Sequence, residues 1–251
     1  MPGLFSLARA QCVITGGTRG IGKAVADRFL AEGAFVTVVA RSRPEELNDD
    51  VHMVGGEVVT NNRTGKLSFV QGDASVRGTW DRIGIEVTQP DPDVLVNCAG
   101  ITQRSLLVRT TDEEARAIID TNLHSAILGC RYAAKSMMKR RRGGCIINVS
   151  SLLATKGTEG TSVYAASKAG LLGLTSSLAV EYGKSNVRVN ALVPGYIQTS
   201  MTEEISKARL SQIPLGRVGD AEAVADAAAF LAKNPYASNC ILNIDGGLSA
   251  V

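Results

Sequence analysis

Tyr164 and Lys168 stand four residues apart in a stretch with a helical pattern, so their side chains share one face a single turn apart. A phenol that titrates at about 10 is poorly matched to proton transfer at neutral pH. An ammonium one turn away favours the phenolate, and the same ammonium can hold a sugar hydroxyl. Ser151 follows an apolar run and can hydrogen-bond a carbonyl, steadying the charge that develops on its oxygen. Taken singly, a Tyr-x-x-x-Lys pair is an ordinary helix-surface pair, and a serine at a strand end is an ordinary turn or cap residue. Ser150 competes with Ser151, but a strand continuing that far turns it to the opposite face.

Such groups act only if a frame holds them together. Short apolar runs at 11–14, 35–40, 67–70, 94–97, 145–149, 187–192 and 241–244 predict strands. They are continuous, not alternating, as in strands buried on both faces. Helical patterns fall between them at 20–32, 76–89, 112–139, 164–182 and 221–231, the third opened by a Thr111/Glu114 capping box. This alternation predicts an α/β fold: one Rossmann-type, doubly wound parallel sheet of about seven strands with helices on both faces, in a single domain over 1–251. Ligands then bind beyond the carboxyl ends of the strands, where the strand order reverses. Residues 54–65, rich in Gly and Asn, break the rhythm and read as a tolerated surface insertion.

The first strand leads into Thr15-Gly16-Gly17-Thr18-Arg19-Gly20-Ile21-Gly22 and a helix. Glycines at 16, 20 and 22 permit a tight turn and close approach of a pyrophosphate to the helix N-terminus. The second strand ends in Ala40-Arg41-Ser42-Arg43, where a carboxylate would select NAD by holding the ribose hydroxyls. Arg41, with Arg19 approaching from the turn, attracts a ribose 2′-phosphate instead, so the expected cofactor is NADPH.

Composition narrows the partners. A net charge of +3, spread along 251 residues, gives no argument for nucleic acid. Five scattered cysteines without a C-x-x-C, and two histidines, argue against a zinc site and for reduced core thiols. No membrane span is expected, because no apolar run reaches the roughly 18–20 residues needed to cross a bilayer. The expected location is cytoplasmic. The alternative is the mitochondrial matrix, since residues 1–10 carry Arg9 and no acid.

These residues together resemble the short-chain dehydrogenase/reductase family. The motifs are Thr15 to Gly22, Asn97-Cys98-Ala99-Gly100, Asn122, Ser151, Tyr164-Ala165-Ala166-Ser167-Lys168, Pro194-Gly195 and Asp245-Gly246-Gly247, in the family's order along the whole chain. Within it, Leu106 to Arg109, Ile213 to Arg217 and the ending from Asp245 to Leu248 are closest to 3-oxoacyl-[acyl-carrier-protein] reductases and related carbonyl reductases. The resemblance implies that Ser151, Tyr164 and Lys168 are catalytic and that Asn122 completes a proton relay through water to the lysine. It implies that Asp73 and Ala74 meet the adenine, that Asn97, Ala99 and Gly100 line the dinucleotide, and that Pro194, Gly195, Ile197 and Thr199 meet the nicotinamide carboxamide. Cys98 replaces the family's usual second asparagine, and residues 198–211 would form a substrate lid.

The activity expected from that likeness is NADPH-dependent reduction of a 3-oxoacyl thioester on acyl carrier protein, as in fatty acid synthesis. An acidic carrier needs a basic dock near the active-site mouth. Arg142, in the run Lys139-Arg140-Arg141-Arg142, matches a docking arginine of the resembled reductases, although a second one falls at Ser185 beside Lys184. The same run also suits a solvated helix end. Reduction of a free carbonyl (quinone, steroid or sugar) is the alternative enzyme. A non-catalytic NADPH-binding subunit of a mixed oligomer is the alternative of another class. The resemblance further implies a homotetramer, built on helices 112–139 and 164–182 and on the segment 221–251.

Overall fold

The computed structural model describes residues 5–43, 51–54, 57–60, 65–87, 91–199 and 210–251. Seven parallel strands form the body of one sheet: β1 (Gln11–Thr15), β2 (Phe35–Ala40), β5 (Lys66–Gln71), β6 (Val94–Asn97), β7 (Gly144–Val149), β8 (Val187–Pro194) and β9 (Ile241–Ile244). Their order is β5-β2-β1-β6-β7-β8-β9, so the winding reverses between β1 and β6. That crevice is where a doubly wound sheet receives a ligand.

The insertion departs from its expected form. β3 (Val51–Val54) and β4 (Glu57–Thr60) pair antiparallel, and β4 continues onto β5 through Glu57↔Ser68 and Val58↔Leu67. This part of the chain therefore extends the sheet edge as a hairpin.

Each strand is apolar throughout because helices cover both faces. Ile14, Val38 and Ile147 pack with α1 (Gly20–Ala31) and, among the last helices, with Ala221–Lys233, through Phe29, Leu30, Ala228 and Leu231. Their neighbours in the strands, Val13, Val39 and Ile146, face the other layer with Trp80, Ile83, Met137 and Leu178. That layer comprises α2 (Arg77–Glu86), α3 (Asp112–Ile119), α4 (Ser125–Arg140) and α5 (Ser162–Gly183); the helix Ala221–Lys233 is α6. The capping box at Thr111 is formed in full. A smaller cluster, Leu152, Ile213 and Leu248, closes the carboxyl end of the sheet.

Two helical details depart from expectation. The stretch expected as one helix over 112–139 contains a π turn at Asp120–His124 between α3 and α4. Such turns widen the helical ladder by one residue and are frequent at functional sites. Helix α5, 22 residues long, is long and apolar enough by length and composition alone to cross a membrane. That corrects the expectation that no run is long enough. In the fold, α5 buries Ser167, Lys168 and Thr175 and packs on β8, the behaviour of a helix within a globular layer.

Candidate active site

The turn after β1 is shaped so that only glycine fits. Gly16 has φ +69, and a Cβ there would lie 2.8 Å from the Ala99 Cα. A Cβ at Gly22 would lie 2.3 Å from the Gly16 carbonyl. Thr15 Oγ1 accepts the N–H groups of Cys98 and Ala99, each at 3.1 Å, which locks the ends of β1 and β6 side by side. Helix α1 then starts without a side-chain cap from Arg19, so its first amides can serve an anion. This cradle fits a dinucleotide pyrophosphate.

A cleft opens above the cradle, bounded by Gly16, Thr18, Arg19, Gly20, Ile21 and Gly22. Arg41 and Ser42 enter it from the end of β2, and Asp73 and Ala74 from the end of β5. Asp73 Oδ1 is engaged by the Ser75 amide (2.8 Å) and hydroxyl (2.7 Å). Ala99 and Gly100 line the cleft beside Cys98, whose thiol is pushed up to about 11 by burial against the pull of Lys168. Cys98 is therefore a neutral wall at physiological pH. Thr199 closes the opposite side, with its Cγ2 3.3 Å from where a Gly20 Cβ would stand.

Five residues expected to meet the dinucleotide also make contacts within the fold. The Asn97 carboxamide turns inward and donates to Asn148 Oδ1 at 2.9 Å, because strand alternation sends it into the core. Gly17 packs against Val38, Gly195 packs against Asp245, and Ile197 is buried in the α1 layer. Pro194 ends β8. The expected lid at 198–211 falls mostly outside the described residues. Thr121 and Ser125, absent from the sequence expectations, line the cleft because the π turn brings them there.

Of the polar triplet, Ser151 follows β7, and Tyr164 and Lys168 stand on α5. Lys168 is buried, its Nζ 5.8 Å from the Tyr164 ring centroid and donating to the Val149 carbonyl at 2.8 Å. Gly100 stands beside both groups: a Cβ there would lie 3.5 Å from that Nζ and 3.4 Å from Asn122 Oδ1, ordinary contact distances. Ser150 is buried and its hydroxyl is spent on the Lys168 carbonyl at 2.7 Å. Ser151 Oγ is half-buried and accepts only the Leu153 amide, at 3.2 Å, among the described residues. Ser150 belongs to the cleft wall but Ser151 has the available hydroxyl. Asn122 sits on the π turn, exchanging hydrogen bonds with Ile101 at 2.8 and 3.0 Å and donating to Ser167 Oγ at 3.0 Å.

The basic run lies at the other end of the sheet. Arg142 is exposed and precedes β7, whose six residues place it roughly 20 Å from Ser151. Its neighbours, Asp93, Asn186 and Arg188, belong to the strands' amino ends. Arg140 is spent on Asp93 (3.0 Å) and the Pro92 carbonyl. A dock at the mouth of this subunit's own cleft is therefore corrected: the β7 strand separates the two.

A glycine cradle at the reversal point and a Tyr–Lys pair across it define an oxidoreductase of the doubly wound dinucleotide-binding type. The family model described as enoyl-(acyl carrier protein) reductase matches residues 16–249. The 3-oxoacyl-[acyl-carrier-protein] reductase of Bos taurus is 41% identical over 239 residues, 94% of this chain and 97% of that protein. Carbonyl reductase family member 4 of Xenopus laevis is 37% identical over 238 residues, covering 94% and 97%. A provisionally assigned 2-deoxy-D-gluconate 3-dehydrogenase of Agrobacterium tumefaciens, solved with bound NADP, superposes with a TM-score of 0.84 at 32% identity, covering 98% of each chain. The chain belongs to the short-chain dehydrogenase/reductase family.

Proposed function

We propose that the protein reduces the 3-keto group of an acyl thioester carried on acyl carrier protein, with NADPH as reductant. The observation that carries the cofactor half is that Arg19 and Arg41 both line the cleft, beside Ser42, with no carboxylate among residues 41–43 after β2. Two guanidinium groups there suit a 2′-phosphate, and a carboxylate would repel it. A nicotinamide held in this cleft would supply the hydride. Tyr164 then delivers the proton to the oxygen that becomes the alcohol, while Ser151 holds that oxygen. Lys168 has given one N–H to Val149 and keeps the others for the ribose and for the phenolate left on Tyr164. Asn122 braces the relay side of the site through Ile101 and Ser167, and its π turn is the place for a water leading to Lys168.

The substrate half rests on the carrier-protein reductases among the relatives. A free carbonyl is the second reading, favoured by the distance of Arg142 from the cleft and by the sugar-acid dehydrogenase likeness. NADPH oxidation measured with carrier-bound acetoacetate, a small acetoacetyl thioester, a quinone, a sugar ketone and an enoyl thioester separates them. The carrier-bound ketone is expected to give the highest kcat/KM. A preference for quinone or sugar would move the assignment to the free-carbonyl enzyme, and no turnover with any would revive the non-catalytic subunit.

A further inference from the structure

Helix α5 begins without a cap of its own, since Thr161, its N-cap residue, makes no side-chain bond to the first turn. The amides that open a helix have no partner within it and need an acceptor when buried. That acceptor comes from 60 residues away. Gln103, in the loop after β6, is only 4% exposed, and its Oε1 accepts the N–H groups of Val163 at 2.8 Å and Tyr164 at 3.2 Å. Its Nε2 donates to Thr110 Oγ1 at 2.9 Å and to the Ser105 carbonyl at 3.0 Å. A carboxamide has two acceptor and two donor positions, and all four are used. Both helix partners are donors, which fixes the orientation of the amide.

We infer that Gln103 is a positioning residue for the proton donor, holding the backbone of Tyr164 in register with the loop at 104–110. The inference rests on the reading of Tyr164 as that donor. Tyr164 is gripped from both sides of its peptide: Gln103 takes its N–H, and its carbonyl accepts Ser167 Oγ at 2.6 Å. The other end of the bridge is also built. Thr110 Oγ1 meets Ser105 Oγ at 2.9 Å and donates to the Leu106 carbonyl at 3.1 Å, so the carboxamide is tied into a closed loop. That loop packs on the turn before α5, where a Cβ at Gly160 would lie 3.7 Å from the Ser105 amide. It presents Leu107 and Val108 to solvent, at 60% and 90% exposure, in the connection that leaves the carboxyl end of β6. The Gln103 side chain thus joins this loop to the peptide that carries the phenol.

Misplacement of a reacting group by about 1 Å costs on the order of 10²-fold in rate. Gln103→Met removes all four hydrogen bonds at nearly constant volume. Gln103→Glu keeps the acceptor for the helix amides and loses both donations. The measurements are kcat per NADPH-binding site, KM, NADPH affinity by fluorescence titration, and Tm. Gln103→Met should lower kcat per site by about 10²-fold, with NADPH affinity changed by no more than about two-fold. Gln103→Glu should restore most of kcat and raise KM, because only the mouth loop has been released. A glutamine that merely supports the fold would cost Tm and active fraction while leaving kcat per site alone. Unchanged kcat per site in Gln103→Met, or equal losses of kcat in the Met and Glu variants, overturns the inference. Gln103→Asn, one methylene too short to reach α5, replaces Gln103→Met if that variant does not fold, with the same loss expected. Tyr164→Phe, assayed alongside, isolates the underlying reading: surviving turnover there removes the donor assignment itself, whereas its loss beside a normal Gln103→Met removes only the bridge.

Discussion

At position 164 a phenol, half-buried and under the influence of the Lys168 ammonium, meets a cleft that also contains the arginines of the cofactor edge. Tyr164→Phe takes away the hydroxyl and nothing else, so NADPH titration should be unchanged while turnover falls by roughly 10²–10⁴-fold. Turnover within a few-fold of the parent would mean that another group protonates the product. Arg41 tests a different energy. An aspartate there replaces attraction for a 2′-phosphate with repulsion, and the NADPH/NADH ratio of kcat/KM should fall by at least about 10-fold. A preserved ratio would place the phosphate elsewhere. Some of this chemistry was legible in the residue types, because strand alternation already turns Ser150 inward and Ser151 outward. Gln103 was not legible. Its partners are 60 residues distant, and a single glutamine carries no pattern.

Elements were readable where burial leaves one solution. The seven parallel strands are unbroken apolar runs because helices cover both faces, so their positions follow from the sequence to within a residue or two. The β3–β4 hairpin sits at the sheet edge, where a short run among glycines and asparagines looks like a loop. The π turn at Asp120–His124 is a change of hydrogen-bond register inside a continuous helical pattern, which side-chain spacing does not encode. The closing turn after β9 offers a test at this scale. Burial would raise the Asp245 carboxyl, but hydrogen bonds from the Ser249 side chain and the Gly247 and Ser249 amides outweigh it and lower its pKa. A folded value below the unfolded one stabilises above about pH 4 and loses that contribution as acid protonates the group. Asp245→Asn should therefore lower stability in urea unfolding at pH 7 by an amount that solvent screening keeps small, with the difference from wild type narrowing towards pH 3. An equal difference at both values would assign the loss to packing around Leu248 instead.

The whole molecule poses a question of distance, because the proposed carrier dock and the proposed chemistry occupy opposite ends of β7. A basic run in a sequence reports charge but not which end of a sheet it decorates, and the strand decides that. We propose that the homotetramer expected from the resemblance resolves the conflict by bringing a neighbour's cleft beside Arg142. Surfaces for such contact are present on the segments expected to assemble: Val180 on α5 is 81% exposed, Tyr236 after α6 is 97% exposed, and Ile241 on β9 is 48% exposed. Light scattering at micromolar concentration should give a tetrameric mass, and Val180→Glu with Tyr236→Glu should lower it. In the parent, Arg142→Glu should then reduce kcat/KM for the carrier-bound substrate while sparing the small thioester. The reduction should shrink with added salt, since exposed charges are screened over about 8–10 Å at physiological strength. In the dissociated variant the same substitution should have no effect on either substrate, because each subunit's own cleft is out of reach of its own arginine. A carrier-specific loss that persists in the monomer would show that the carrier spans the length of the sheet, and equal losses for both substrates would show that Arg142 supports the fold.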